Sequence, residues 1–276
     1  MKAAPFDYVR AKTVAEASVA LGRKGITTAA IAGGQSLLPM LNLRVAFIDL
    51  LVDISRLDDL KAVTRTPDSV WIGALTTHAA IEDGKVPDIF EGLMRRVARQ
   101  ISYRAIRNHG TIGGSVALAD PAADWPCCLV ALDAIVRVVG RNGVRVQAVA
   151  DFIRGPYETT LTTGDIIIGF DIPSPEAPLR WGFAKVARKS GAFANSIAIV
   201  CAQRRDGPVS VVLGAAGPRP IQLATIANEV RAGRGPDELR AAISAELEHH
   251  VPDADAYQKR MHTATILRAV RDMRAQ

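Results

Sequence analysis

The sequence predicts an α+β protein in two parts, and three observations carry that prediction. Short apolar strands alternate with helix-patterned segments through the N-terminal stretch. Further on, two alternating stretches, Ala134 to Gly140 and Gly143 to Val149, flank Arg141-Asn142-Gly143, and an Asn-Gly pair in that setting signals a hairpin. Pro173-Ser174-Pro175-Glu176-Ala177-Pro178 then places three prolines in six residues, which marks an exposed linker or a domain boundary, and beyond it strands give way to helices.

Taken in order, Pro5 to Tyr8 reads as a short entry strand. Thr13 to Gly22 is a helix, because a capping threonine opens it, Glu16 falls in its first turns and Gly22 ends it. Thr27 to Ile31 is a buried strand running into a glycine pair, and Leu37 to Asn42 is a helix or turn above it. Phe47 to Asp53 and Val70 to Gly73 are the next strands, and Thr76 or Thr77 caps a helix from His78 to about Asp83. Asp88 to about Ile101 is a helix with Ile89, Leu93 and Val97 at helical spacing. Arg107 to Asp124 reads as one central loop, Cys127 to Leu132 as an apolar segment, and Asp165 to Ile172 as a strand closed by Pro173. After the proline break, Gly182 to Ala187, Asn195 to Gln203 and Pro208 to Ala215 suit a small antiparallel sheet. Leu223 to Ala232, Asp237 to Leu247 and Tyr257 to Arg274 are helices.

With 276 residues, the chain has room for one large or two modest domains, each with its own core. Its 49% apolar and 22% charged residues describe an ordinary globular protein. The net charge of +6 does not point to nucleic acid, because the basic residues are dispersed among acids without a dense block carrying aromatics. An anionic cofactor or an acidic partner accounts for the balance equally well. Cys127, Cys128 and Cys201 have neither disulfide nor metal-ligand spacing and read as buried apolar fillers. No apolar run suits a signal peptide or a membrane span, so the expected location is the cytoplasm.

The candidate chemistry lies in two glycine pairs. Ala32-Gly33-Gly34-Gln35-Ser36 offers backbone N–H donors, an amide and a hydroxyl to a phosphate; taken alone it reads first as a tight strand-to-helix turn. It lacks the spacing of a Rossmann turn and the Gly-Lys-Ser/Thr end of a P-loop. Thr111-Ile112-Gly113-Gly114-Ser115 sets two glycines between hydroxyls, a pattern that suits a backbone concavity for an anion. Two such segments far apart in the chain suggest one diphosphate held between them. Asp124 follows closely enough to accept from a ribityl or ring N–H, or else caps a helix or faces solvent. His109 reads as structural, and no Gly-x-Ser-x-Gly elbow accompanies the serines.

These residues resemble a family. AGGQSLLPML at Ala32 to Leu41 and AIRNHGTIGGSVALADPAADWP at Ala105 to Pro126 look like the FAD-binding medium subunits of the molybdenum hydroxylases, the group of carbon monoxide dehydrogenase and xanthine dehydrogenase. The resemblance continues through GDIIIGFDIP at Gly164 to Pro173 and FAKVARKSGAFA at Phe183 to Ala194, and so covers nearly the whole chain. It implies an FAD-binding domain of the vanillyl-alcohol-oxidase (PCMH) type over 1–175, with subdomains of about 1–55 and 56–175. A C-terminal domain over 176–276 would pair a small antiparallel sheet with a helical bundle. It further implies that Ala32, Gly33, Gly34, Gln35 and Ser36, with Thr111, Ile112, Gly113, Gly114 and Ser115, grip the pyrophosphate. Asp124 would bind the flavin side, the backbone near Ile167 or Ile168 would touch the ring, and Lys185, by itself a solvated strand residue, would sit by the isoalloxazine. Ala192 and Phe193 depart from the relatives' acid-aromatic pattern, and Phe193 lacks the polar handle of a tyrosine.

The expectation is therefore an FAD-containing electron-transfer subunit. A small subunit would supply two 2Fe-2S clusters and a large one the molybdopterin that oxidises carbon monoxide, an N-heterocycle or an aldehyde. The assembly would be a dimer of heterotrimers passing electrons to an external acceptor. A self-contained flavin oxidoreductase of the same fold and a non-catalytic nucleotide-binding scaffold are the alternatives.

Overall fold

The computed structural model describes residues 2–203 and 207–276. The chain begins with β1 (Asp7–Arg10), α1 (Val14–Leu21), β2 (Thr28–Ile31), α2 (Leu37–Asn42) and β3 (Leu50–Asp53). Thr13 caps α1, its hydroxyl accepting from the Glu16 N–H at 3.1 Å. The three strands form a parallel sheet in the order β1-β3-β2. The central strand, Leu-Leu-Val-Asp, is buried along its length, as a strand flanked on both edges must be.

The next body holds β4 (Val63–Arg65), β5 (Ser69–Gly73), α3 (His78–Glu82), α4 (Leu93–Arg99), α5 (Arg104–Arg107), α6 (Ile112–Leu118) and α7 (Asp124–Ala131). It continues with β6 (Ile135–Gly140), β7 (Gly143–Ala148), α8 (Val149–Phe152), β8 (Ile153–Gly155), β9 (Glu158–Thr159) and β10 (Ile166–Pro173). Five strands make an antiparallel sheet in the order β4-β5-β10-β6-β7, with the expected hairpin, Gly140 opposite Gly143, at its edge.

Two expectations fail in this body. The helix expected from Asp88 begins only at Leu93, because Glu91 and Gly92 take left-handed φ values of 49° and 87° and the helix starts after Gly92. The stretch from Arg107 to Asp124 is not one loop, for it contains α6 and opens α7. Neither Gly113 nor Gly114 has positive φ; both sit in the first turn of α6, where the Thr111 hydroxyl accepts from the Gly114 N–H at 3.1 Å. Burial of Ile112 and Val116, four positions apart on one face, overrides the low helix propensity of the glycines.

The last body has β11 (Arg180–Ala187), β12 (Ala194–Ala202), β13 (Val209–Gly214) and β14 (Ile221–Gln222) in one antiparallel sheet, followed by α9 (Ala224–Arg231), α10 (Pro236–His250) and α11 (Ala256–Arg274). Strand alternation assigns its two faces. Ala198, Val200, Val211 and Leu213 pack on Ile226, Ile243, Ile266 and Val270 of the helices. Ile197, Ile199, Cys201 and Val212 face the other way and join Trp125, Cys127 and Phe152 of the preceding body. The largest apolar core thus runs across the proline-rich connection. Among the described residues no helix is long and apolar enough to cross a membrane.

Candidate functional site

An elongated cavity of about 630 Å³ runs along the seam between the first two bodies and opens toward the β11–β12 connection. Its volume falls within the range of small-molecule sites, about 300–1,000 Å³. One wall is the run from Ala29 to Leu37, and the opposite wall is built by Gly110, Thr111, Gly114 and Ser115. Ile101 to Tyr103 and Ile106 form a third side, with Lys189, Gly191, Ala192 and Phe193 on the rim. Of the sequence-predicted residues, Ala32, Gly33, Gly34, Gln35, Ser36, Thr111, Gly114, Ser115 and Asp124 share this cavity. Ile112, Gly113, Ile167, Ile168 and Lys185 do not line it.

The two glycine segments meet directly. A Cβ on Gly33 would fall inside the carbonyl oxygen of His109 and 3.0 Å from the Gly110 Cα, so only glycine permits this contact. Gly34 holds φ +71°, which turns the chain from β2 into α2. Among the described residues, the N–H groups of Gly33, Gly34, Gln35 and Ser36 donate to no protein acceptor. The Gln35 side chain folds back, its Nε2 donating to the Gly33 carbonyl at 2.8 Å.

The second segment is engaged within the fold. The N–H of Ile112 donates to the Thr76 carbonyl at 3.0 Å and that of Gly113 to the Ala74 carbonyl at 2.9 Å. Gly114 donates to the Thr111 hydroxyl and Ser115 to the Thr111 carbonyl. Gly113 is needed for packing, since a Cβ there would come 2.6 Å from that of Ala74. Gly114 instead faces the cavity, where a Cβ would meet only the Thr111 hydroxyl at 2.9 Å. The contribution of this segment is therefore a smooth surface with the Ser115 hydroxyl beside it.

Asp124 and Lys185 pair with each other. Both Asp124 oxygens accept from Lys185 Nζ at 2.9 Å, and each side chain is 5% exposed. Lys185 also donates to the Gln100 carbonyl at 3.2 Å. Burial pushes the Asp124 carboxyl up to about 6, against the opposing pull of Lys185. Asp124 is not a helix N-cap; it occupies the first position of α7, after Ala123. Ile167 lies in the main core, and the Ile168 carbonyl accepts from the Ala74 N–H at 3.0 Å.

Sequence reasoning missed His78, the Ile101–Tyr103 stretch and Lys189. The Ile101–Tyr103 stretch is fixed by Arg107, which donates to the carbonyls of Ile101 at 3.0 Å and Ser102 at 2.8 Å and pairs with Glu82 of α3. Arg104 adds Asp83 to the same network. The rim is held by the Ser102 N–H donating to the Gly191 carbonyl at 3.0 Å, with Lys189 over the Tyr103 ring at 5.9 Å. No local motif marks these positions, because they meet only through folding. All three cysteines are buried and free, and burial pushes the Cys201 thiol up to about 12.

The fold and the cavity define a class: an α+β chain with a ligand-sized cavity lined by two glycine segments, neither of them a Rossmann turn. The family described as the FAD binding domain in molybdopterin dehydrogenase matches residues 4–175. The glyceraldehyde dehydrogenase medium chain of Sulfolobus acidocaldarius is 32% identical, over 91% of this chain and 90% of the relative. The carbon monoxide dehydrogenase medium chain of Hydrogenophaga pseudoflava is 32% identical over 74% of this chain and 71% of its own. The solved carbon monoxide dehydrogenase of Hydrogenophaga pseudoflava superposes with a TM-score of 0.92 at 28% identity, covering 100% of this chain and 99% of that one. Quinoline 2-oxidoreductase from Pseudomonas putida 86 gives 0.90 at 27% identity, with coverage of 100% and 99%. The chain belongs to the FAD-binding medium subunits of the molybdenum hydroxylase family. The expected α+β architecture, with its PCMH-type FAD domain, is the one observed.

The site fits that cofactor. Unengaged backbone donors on one wall, a side-chain-free floor at Gly114 and a Ser115 hydroxyl that is unpartnered among the described residues suit a diphosphate, and the cavity volume of about 630 Å³ accommodates a ligand larger than the diphosphate alone.

Proposed function

We propose that this chain is the electron outlet of a three-subunit molybdenum hydroxylase. The observation that carries the proposal is the row of unengaged N–H groups from Gly33 to Ser36, facing Gly114 and Ser115 across the cavity. These donors hold the diphosphate of FAD non-covalently, while Ile112 and Gly113 fix the opposite wall to Thr76 and Ala74 just after β5. Asp124, kept in place by Lys185, meets the flavin half of the cofactor. The Ile101–Tyr103 stretch and the Ala192–Phe193 rim cover it. FAD held there would supply one- and two-electron chemistry, which suits an exchange between one-electron clusters and a two-electron acceptor.

In this reading a small partner subunit brings the two 2Fe-2S clusters, and a large one brings molybdopterin and the substrate pocket. The substrate is therefore chosen on another polypeptide: an aldehyde, an N-heterocycle or carbon monoxide. Two such heterotrimers form the assembly, and a quinone, dioxygen, a nicotinamide or a carrier protein takes the electrons. Residues 1–175 would hold the cofactor and 176–276 would complete the rim, in a cytoplasmic complex.

Reconstitution with FAD tests the first step, and the expected result is a stoichiometric flavin spectrum. Stopped-flow mixing of the flavin-loaded chain with reduced small subunit tests the second, with rapid bleaching expected. Bleaching by an organic substrate without any partner would favour a self-contained flavin enzyme instead. Bound flavin that the cluster subunit cannot reduce would leave only a scaffold role.

A further inference from the structure

His78 opens α3 and lines the cavity, yet neither glycine motif includes it. The residue is 6% exposed, and its ring lies 6.0 Å, centroid to centroid, from that of the fully buried Trp125. The Trp125 indole Nε1 donates to His78 Nδ1 at 2.9 Å. An indole nitrogen can only donate, so Nδ1 must present its lone pair. A neutral imidazole then carries its single proton on Nε2. Tryptophan therefore selects the tautomer, and the free end of the ring becomes a donor with no acceptor capacity.

The position of that free end matters. A Cβ on Gly110 would come 2.7 Å from His78 Nε2 and 2.9 Å from Cδ2, so the absence of a side chain at Gly110 is what leaves room for the ring. Gly110 also accepts the His78 backbone N–H through its carbonyl at 2.9 Å, and its Cα lies against Gly33. The ring thus stands where the two glycine segments touch. Among the described residues Nε2 has no hydrogen-bond partner, and it is not among the side-chain atoms sealed from the cavity without one. A donor that has no protein acceptor and is not sealed from solvent is available to a ligand in the cavity.

We propose that His78 is a cofactor-binding residue whose Nε2–H donates to an oxygen of the diphosphate–ribityl stretch of FAD. The inference rests on the reading of the cavity as the FAD site. Burial, with the neighbouring Arg107 charge, pulls the imidazole down to about 4, so the ring stays neutral at physiological pH. His78 therefore supplies direction rather than charge. It complements the Gly33–Ser36 amides from the side of the second segment, where the amides of Ile112 to Ser115 are engaged within the fold.

The test uses the full chain labelled with ¹⁵N. The expected spectrum of the free protein shows His78 with Nε2 protonated and Nδ1 bare, and the Nε2 proton moves downfield as FAD is added. His78→Leu removes the donor and should weaken FAD binding roughly ten- to a hundredfold, the range for a hydrogen bond to a charged group. His78→Gln, which keeps an N–H, should recover most of the loss. Circular dichroism checks the fold, because the leucine leaves Trp125 Nε1 without an acceptor. If that variant unfolds, Trp125→Phe replaces it; the expected result is then a mixed tautomer pattern and a smaller loss of affinity. A ring protonated on Nδ1, an Nε2 proton indifferent to FAD, or wild-type affinity in a folded His78→Leu chain would each overturn the inference while leaving the FAD reading intact. A wild-type chain that takes up no FAD overturns that reading, and the inference with it.

Discussion

The two glycine segments look alike in sequence and work in opposite ways. Among the described residues Gly33–Ser36 leaves its backbone donors free, whereas the N–H groups of Ile112–Ser115 are engaged by Thr76, Ala74 and the capping Thr111. The difference follows from what lies behind each. The first segment turns out of a three-stranded sheet whose β2 is only half-buried, whereas the second begins a helix anchored in the largest core by Ile112 and Val116. A glycine pair is therefore not a function in itself. It allows close approach, and its neighbours decide whether a ligand or another strand makes that approach.

Substituting the glycines one at a time tests this contrast. Gly33→Ala should have the largest effect, because the methyl would enter the His109 carbonyl and separate the segments. Loss of FAD beyond about a hundredfold, together with a lower melting temperature, is expected, to be read by flavin fluorescence and calorimetry. Gly114→Val comes next: its side chain fills the cavity floor, so flavin retention should vanish while the sheet and helices of residues 176–276 stay folded. Undiminished flavin content in that variant would sink the account of Gly114 as floor. Gly113→Ala should show the reverse pattern, losing about 1–3 kcal/mol in urea unfolding from the overpacked Ala74 contact, with little change in FAD affinity among folded molecules.

Smaller effects probe the supports. Ser115→Ala removes one hydroxyl and should weaken FAD by about 1 kcal/mol in a titration. Asp53 pins the end of β3 beside the first segment, accepting from Tyr8, from Arg10 at 2.9 Å and from the Ser55 N–H at 2.8 Å. Burial alone would raise its carboxyl, but these hydrogen bonds together hold it well below the usual range. Because the folded pKa is depressed, the stabilisation is present above about pH 4 and is lost as the pH falls through the folded value. The advantage of wild type over Asp53→Asn, about 1 kcal/mol at pH 7, should therefore shrink in acid and leave the second segment's core unaffected.

Much of this molecule is legible before folding. Thr13 and Gly22 delimit α1, Asn142-Gly143 signals the hairpin, and the strand read over Asn195 to Gln203 is found at Ala194–Ala202. The errors have local causes. Gly113-Gly114 reads as a loop because propensity knows nothing of the pocket that receives Ile112, and Asp88–Gly92 reads as helix because periodicity does not reveal the left-handed turn at Glu91 and Gly92. At the site, the glycine segments and Asp124 stand out by residue type. His78, Tyr103 and Lys189 do not, because nothing in their neighbourhood in sequence sets them apart.

Local constraints are written in the residues themselves: where helices are capped, where strands alternate, and where the absence of a side chain is required. Residues few positions apart impose these through backbone sterics and hydrogen bonding. Only the tertiary structure decided which glycine segment keeps its donors, that Lys185 turns to Asp124, and that Trp125 selects the proton on His78. Those outcomes depend on partners tens of residues away. Burial decides them, because a polar group removed from water must satisfy itself with whatever the fold brings within reach.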